Sequence, residues 1–549
     1  RSRKEGFFLP VIEAANGRDA RSSYEGGASF NPMGGFYNKP IAALGFASFY
    51  PSIMIAHNLC YTTLMKRPEG VEGVDYVKTP AGKYFCTAAK RRGLLPMMLE
   101  DLLAARAKAQ AELAAETDEA KRVVLEGRQL ILKTIANAVY GFTGTAKGKL
   151  PCLEISASVT AFGRQMIDLT KRTVESTYKR GYMNGKCPAD ALVIYGDTDT
   201  VMVKFGVQTV AEAMEIGRDA ATVLNALFVA PIRVELRKAY FPLLLINKKH
   251  YAGLYFSRPD RHDKIDCKGL ESVRRDNCAL VGATMDACLQ KLLVERNADG
   301  AMEYAKKVIA DLLCNKIDIS LLIISKELTK QTDKYAIRQS HVAVAEKMRK
   351  RDAGSVPRLG DRVQYVYVTA IKKAPLHERA EDPAYVLQND IPIDTRHYLT
   401  NELVKPLARI FEPILGDRAT IILLEGEHTR NHTQAVSKIG GLASFVQKTS
   451  KCLGCRGTLN CFEQDKALCA HCRPLTAEVY MSRVTTLNGN ARRFGRLWTE
   501  CQHCAKTMHE KVNCSARDCP IYYRREKARS EVQDAFQAVM RFGEPVLDD

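Results

Sequence analysis

Apolar and polar positions along this chain follow two different periods, and the switches between them mark its elements. From Leu94 to Tyr140 the residues are mostly Leu, Ala, Lys, Glu and Arg, with one break at Glu116-Thr117-Asp118. Leu95, Met98, Leu99, Leu102 and Leu103 recur at helical spacing, and so do Leu125, Leu132, Ile135 and Val139. The spacing predicts an antiparallel helical hairpin whose second helix is capped by Thr117 or Asp118. On that helix Lys133, Asn137 and Tyr140 recur at the spacing that shares one face. Elsewhere the period falls to that of strands. Pro40–Leu44 is a short apolar run, and the β-rich runs Ala191–Tyr195 and Thr200–Phe205 flank Gly196-Asp197-Thr198-Asp199 as a hairpin. Lys204–Val229 and Val273–Ala298 read as helices. Residues 300–348 read as helical and polar, with Lys326, Lys330, Lys334 and Arg338 at a constant spacing, and Val363–Thr369 reads as a strand. The fold class expected is mixed α/β (α+β).

Composition narrows the function. The 549 residues carry 81 Lys+Arg against 62 Asp+Glu, a net charge of +19, and 46% of them are hydrophobic. That balance excludes a disordered or fibrous chain, and the length predicts about three or four domains. The longest apolar runs, Phe241–Ile246 and Ile319–Ile324, fall far short of the roughly 18–20 residues of a membrane span. The opening Arg1-Ser2-Arg3-Lys4-Glu5-Gly6 has no apolar h-region and no initiator Met, so it reads as neither a signal peptide nor a natural start. Most of the positive excess lies before residue 446, spread through the body of the chain. Such a distribution suits a long polyanion track better than a localisation signal; a generally basic solvated surface is the alternative.

Cysteine is concentrated at one end. Of 17 cysteines, nine lie between Cys452 and Cys519. They form one quartet at Cys452, Cys455, Cys469 and Cys472 and a second, less regular one at Cys501, Cys504, Cys514 and Cys519. Two close pairs joined by a loop can place four thiolates on a tetrahedron, the arrangement of a structural Zn²⁺. Cys461 and His471 are spare donors within the first quartet's span. Spacing alone does not separate Zn²⁺ from an iron–sulfur cluster.

Asp197 and Asp199 stand two residues apart, so an extended strand would send both carboxylates to one face, a hard oxygen site suited to Mg²⁺. Alone, this motif is weak. It gains weight from Gly45-Phe46-Ala47-Ser48-Phe49-Tyr50-Pro51-Ser52-Ile53-Met54 and from the helix Lys133-x3-Asn137-x2-Tyr140-Gly141. Further runs follow in order: Cys60-Tyr61-Thr62-Thr63, Lys149 to Ser156, Lys248-Lys249-His250-Tyr251, and Lys268 to Asn277. Together these segments resemble the B-family DNA polymerases, from about Glu5 to the C-terminus. Cys60-Tyr61-Thr62-Thr63 and the run from Lys149 to Ser156 resemble the replicative delta branch more than the translesion zeta branch.

The resemblance implies a right-hand polymerase: palm over 1–93 and 141–265, fingers over 94–140, thumb over 266–445, and a cysteine-rich C-terminal domain over 446–549. It implies DNA-directed addition of deoxynucleotides to a primer 3′ end in nuclear replication. Two Mg²⁺ ions about 3.5–4 Å apart would serve that reaction, with Asp199 the main ligand and Asp197 in support. Ser48, Phe49, Tyr50, Arg106, Lys133, Asn137 and Tyr140 would bind the nucleotide, Tyr50 rejecting a 2′-hydroxyl. Lys249, Tyr251, Arg274 and Arg275 would hold primer–template DNA. The first quartet would take Zn²⁺ and serve association with a sliding clamp. The second would take a [4Fe–4S] cluster and hold the accessory B subunit. An upstream exonuclease region is also implied, so the chain is expected to be a piece of a longer product.

Three positions depart from the family pattern. Gly45 stands where a carboxylate would bridge both metals, Gln110 where a second cation would meet the triphosphate, and Thr200 where Ser is usual. Loss of the bridging carboxylate leaves a divalent site under-neutralised. A second reading is therefore a polymerase-derived module that holds DNA and subunits without catalysing.

Overall fold

The computed structural model describes residues 2, 4–7, 24–145, 150–271, 276–352, 354, 357–369, 374–430, 450–459, 466–507, 512, 514, 516 and 519–543. Lys149, Arg274, Arg275 and Cys461 lie outside the described residues. The chain divides into two compact units, residues 1–270 and 271–549.

In the first unit a seven-stranded antiparallel sheet forms around one fully buried strand. Its strands are β1 (Gly35–Tyr37), β2 (Ile41–Phe46), and, later in the chain, a hairpin and a meander. A separate small sheet follows β2, made of β3 (Leu64–Met65), β4 (Tyr76–Lys78) and β5 (Tyr84–Cys86). The hairpin is β6 (Leu192–Asp197) and β7 (Thr200–Lys204); the meander is β8 (Val234–Asn247), β9 (His250–Phe256) and β10 (Lys264–Lys268). The order β10-β9-β8-β2-β7-β6 puts β2 between β8 and β7, with β1 paired to β8. All six residues of β2 are buried because both faces of the sheet are covered. Ala42, Leu44 and Phe46 join the main apolar cluster with α1 (Phe49–Ala56) and the later helices α4 (Leu153–Thr177) and α5 (Val210–Asn225). Ile41 joins the opposite cluster, with Tyr195, Met202 and Tyr240. Period-two alternation thus sends successive β2 residues to the two faces, and Gly45 falls with Ile41.

The predicted helical hairpin is present as α2 (Leu94–Ala115) and α3 (Glu119–Thr143). The Asp118 carboxylate accepts from the Ala120 N–H at 2.9 Å and caps α3. Its apolar stripe is shorter than the periodicity predicts. Ala136, Val139 and Thr143 are buried on α3, but Ile135 is 44% exposed. Only the C-terminal end of α3 packs on the main cluster.

The second unit contains helices Ala279–Leu289, Ala298–Leu313, Ser340–Arg351 and Val404–Leu415, and an antiparallel trio Ile324–Glu327, Arg362–Tyr367 and Ala380–Glu381. Two sequence expectations are corrected. The helix expected over Lys204–Val229 is confined to Val210–Asn225, because Lys204 ends β7. The basic stripe Lys326, Lys330, Lys334, Arg338 is not helical. Lys326 belongs to the strand Ile324–Glu327 and Lys334 to a short 3₁₀ turn. Pairing of Lys326 opposite Val363 overrides the local pattern. At the cysteine-rich end, helices Thr476–Ala505 and Pro520–Met540 pack together, and Asn490 donates to the Glu531 carbonyl at 3.2 Å. Among the described residues no helix is long and apolar enough to cross a membrane.

Candidate functional site

A cavity of about 1040 Å³ opens where α1, α2 and α3 meet the sheet. Ser48, Phe49 and Tyr50 enter it from the start of α1, Arg106 and Gln110 from α2, and Lys133, Asn137 and Tyr140 from α3. All seven residues expected to bind nucleotide thus line one space. The local reasons are visible. Ser48 takes a left-handed φ of 45° just before α1 and turns the chain from strand to helix. The spacing on α3 puts its three polar residues beside Ala136 and Val139, which are buried. The Tyr50 ring lies 4.3 Å from that of Tyr140 and 5.5 Å from that of Phe49, centroid to centroid. Burial, and then the Asp199 carboxylate, raise the pKa of the Tyr50 hydroxyl. Burial and a hydrogen bond with Tyr24 do the same for Tyr140. Arg106 donates to the Ser48 hydroxyl at 3.3 Å, while its Nε is buried without a partner, a donor left for an anion.

Asp197 ends β6, and Asp199 follows Thr198, whose φ is 57°. The two carboxylates therefore flank a tight turn, where the Asp199 N–H meets the Asp197 carbonyl at 2.6 Å, instead of sharing one extended strand. Each is steadied by a neighbouring hydroxyl: Thr198 donates to Asp197 at 3.1 Å and Thr200 to Asp199 at 3.0 Å. Each also faces its own cation. Lys249 Nζ lies 3.7 Å from Asp197 Oδ2, and Arg237 Nη2 lies 2.9 Å from Asp199 Oδ2. Of the pair, Asp199 lines the cavity and Asp197 does not.

Gly45 sits in β2 opposite Thr200 on β7 and Glu235 on β8. A Cβ placed there would fall 2.6 Å from Arg237 Cδ and 2.7 Å from its Cζ, with Nε nearer still. The space of the missing carboxylate is filled by a guanidinium. A bridged pair of divalent ions needs anions from several strands, and the three carboxylates about this floor, Asp197, Asp199 and Glu235, are each already matched with a protein cation. The donor set does not fit two bridged Mg²⁺ ions.

Lys249 lies in the β8–β9 turn and Tyr251 at the start of β9. Lys249 is left-handed, with φ 62°, and its N–H donates to the Tyr195 hydroxyl at 2.9 Å. Tyr251 packs against Tyr195 and Tyr240, and burial pushes its hydroxyl up to about 12. It holds the turn, while the Lys249 ammonium stays exposed. Arg233, Glu235 and Arg237 also line the cavity and were not singled out from the sequence. Their alternation with Val234 and Leu236 marks a polar strand face, but nothing local says what that face meets.

In the second unit the sulfurs of Cys452, Cys455, Cys469 and Cys472 all lie within 4.8 Å of one another, and Cys455 Sγ is 3.8 Å from Cys469 Sγ. A tetrahedral Zn²⁺ with Zn–S of about 2.3 Å sets its sulfurs about 3.8 Å apart, so this quartet fits one zinc ion. Against the effect of burial, the N–H groups of Cys469, Cys455 and Gly454 lower the Cys452 thiol to about 6. Burial and the neighbouring sulfurs push Cys472 up to about 12. Four such thiols share one pocket as thiolates only around a cation. Among the described residues no other group of three or more His, Cys, Asp or Glu gathers this closely. Cys501, Cys504, Cys514 and Cys519 are therefore not drawn to single-ion distances; Cys501 is buried and faces Arg525.

Comparison with known proteins places both regions. Residues 452–525 match the C4-type zinc-finger of DNA polymerase delta. The chain is 63% identical over 545 residues to the DNA polymerase delta catalytic subunit of Caenorhabditis elegans, covering 99% of the chain and 50% of that protein. Identity to the same subunit is 54% in Drosophila melanogaster and 51% in Schizosaccharomyces pombe, again over 98–99% of the chain and about half of each relative. The chain spans about half the length of the curated relatives it matches. Residues 1–414, which carry the whole cavity, match DNA polymerase family B, and the chain belongs to that family.

Proposed function

We propose that this chain is the polymerase portion of a delta-type nuclear replicative enzyme, a DNA-directed DNA polymerase. Residues 1–93 and 141–265 would form the palm, 94–140 the fingers, 266–445 the thumb and 446–549 the C-terminal domain. The observation that carries the reading is the convergence of Ser48, Tyr50, Arg106, Lys133, Asn137 and Tyr140 on one cavity above Asp199. Lys133 and Arg106 supply positive charge for a triphosphate, and the Tyr50 and Tyr140 rings, tilted 32° to each other, offer an apolar wall for a deoxyribose. Primer–template would be held through phosphates by the basic body, net charge +19, with Lys249 near the primer end. Family members use divalent metal. In this chain Asp199, supported by Asp197, is the carboxylate that would meet it.

Beyond the cavity, the first quartet would hold Zn²⁺ for association with a sliding clamp. The second would hold a [4Fe–4S] cluster for the accessory B subunit, since a four-iron cluster keeps its thiolates further apart than one ion does. A second reading, a module that holds DNA and subunits without joining nucleotides, rests on the guanidinium at Gly45 alone.

The test is anisotropy of labelled primer–template with the full chain at rising salt, with primer extension in parallel. Binding should be indifferent to sequence and should fall linearly in log–log form with salt. Extension with salt-sensitive binding supports the polymerase; binding without extension supports the module. Affinity indifferent to salt, or dependent on sequence, sinks both.

A further inference from the structure

Gly45 leaves a gap in the floor of the cavity, and another strand fills it. The ladder between β2 and β8 runs Gly45–Glu235, Leu44–Leu236 and then Ala43–Lys238, so Arg237 is the extra residue of a β-bulge. A bulge takes its extra residue out of the ladder and re-aims the side chain. Here the side chain crosses Gly45, with Cδ and Cζ 2.6 and 2.7 Å from where the first side-chain atom of any other residue would sit.

Beyond Gly45 the guanidinium finds three acceptors. It reaches Asp199 Oδ2 at 2.9 Å, Thr200 Oγ1 at 3.1 Å and the Phe46 carbonyl. Carboxylate, hydroxyl and carbonyl together fix a planar donor in orientation as well as place. Lys249 beside Asp197 differs. It is 71% exposed and lies 3.7 Å from its carboxylate, a point charge on a flexible stem. One cation of the floor is locked and the other is loose.

We propose that Arg237 is the resident cation of Asp199, occupying the place a divalent ion would take, and that Gly45 and Arg237 form one unit in which the missing side chain makes room for the guanidinium. A metal ion then reaches Asp199 only when Arg237 swings away. This deepens the polymerase reading and rests on it for its meaning, but the competition itself is measurable without DNA. A Gly45→Asp change alone would not reverse it. The atoms in its way are all on the Arg237 side chain and none on the backbone, so the strand keeps its place and the arginine shifts only as far as the new side chain requires. The new carboxylate then lies against the guanidinium and pairs with it.

The size of the effect follows from charge. A unit positive charge about 4 Å from a divalent ion weakens its binding by roughly thirtyfold even at the dielectric of water, and salt reduces this to about tenfold. The probe is Mn²⁺ alone, its free concentration read by electron paramagnetic resonance with the full chain. Asp199→Asn defines the part of the binding that belongs to this site. Arg237→Gln should tighten that part about tenfold, Gly45→Asp alone by less than about threefold, and the two together by more than either. Arg237→Met repeats the neutral substitution. Arg237→Lys keeps the charge without holding all three acceptors, and should fall between; it serves if the neutral forms do not fold.

Unchanged Mn²⁺ affinity in Arg237→Gln, or in Arg237→Lys where the neutral forms fail, overturns the proposal. So does Gly45→Asp matching the double substitution. Primer–template anisotropy on the same proteins separates the two levels. Loss of DNA binding throughout sinks the polymerase reading and leaves the Mn²⁺ result standing.

Discussion

Asp266 on β10 ties the outer strands of the sheet together, and replacing it by Asn tests how firmly the β8–β9 turn is held. The carboxylate side chain is 8% exposed. It accepts from the Tyr240 hydroxyl at 2.6 Å and from Lys238 Nζ at 2.9 Å, and pairs with Lys268 Nζ at 3.2 Å. Burial by itself would raise its pKa. The Tyr240 hydroxyl and the two ammonium groups more than offset burial and lower it from 3.8 to about 2.

Because the folded value lies below the unfolded one, the stabilisation is full above pH 3.8 and is lost as pH falls through about 2. Linkage makes it about 2 kcal/mol at pH 7, about half of that at pH 3 and well under 1 kcal/mol at pH 2. The assay is pulse proteolysis in urea, reading peptides from β8–β10 by mass spectrometry for both proteins across this range. A gap of about 2 kcal/mol at pH 7 that roughly halves by pH 3 is expected. A gap that stays constant with pH, or one under about 0.5 kcal/mol at pH 7, would refute the argument. The stakes are functional, since Tyr240 packs on Tyr251, at the start of β9 beside the turn that carries Lys249 to Asp197.

Two further outcomes are expected. Tyr50→Ala removes the ring that faces Tyr140 at 4.3 Å. It should weaken deoxynucleotide binding by about 1 kcal/mol and narrow the preference over ribonucleotides, read by competitive nucleotide binding to the primer–template complex. An unchanged preference would remove Tyr50 from the sugar wall. Cys455→Ser takes one sulfur from the first quartet and should abolish the tightly held zinc, measured by elemental analysis of the full chain. Retention of one zinc per chain would point to a different ligand set.

What could be read without a structure was what depends on near neighbours. The hairpin of α2 and α3 was legible because helical periodicity and an Asp cap act over a few residues. The shared face of Lys133, Asn137 and Tyr140 followed from the same geometry. The strands around Asp197 and Asp199 were legible for the same reason. The first quartet was legible because its two Cys pairs each close a tight turn, and their sulfurs do gather around one point. Length of contact set the limit. The regular spacing of Lys326, Lys330, Lys334 and Arg338 suggested a helix, yet Ile324–Glu327 pairs with a strand distant in sequence. Ile135 fits the apolar stripe of α3, but where that helix leaves the core depends on the sheet beneath it. The same limit hid the cation of the floor. Gly45 in the sequence is a missing carboxylate and nothing more. That Arg237, 191 residues beyond Phe46, lies across the gap and binds Asp199 depends on a bulge in β8 beside β2. A ladder shift of one residue decides where that charge goes, and strand pairing between distant segments is set by the tertiary structure alone.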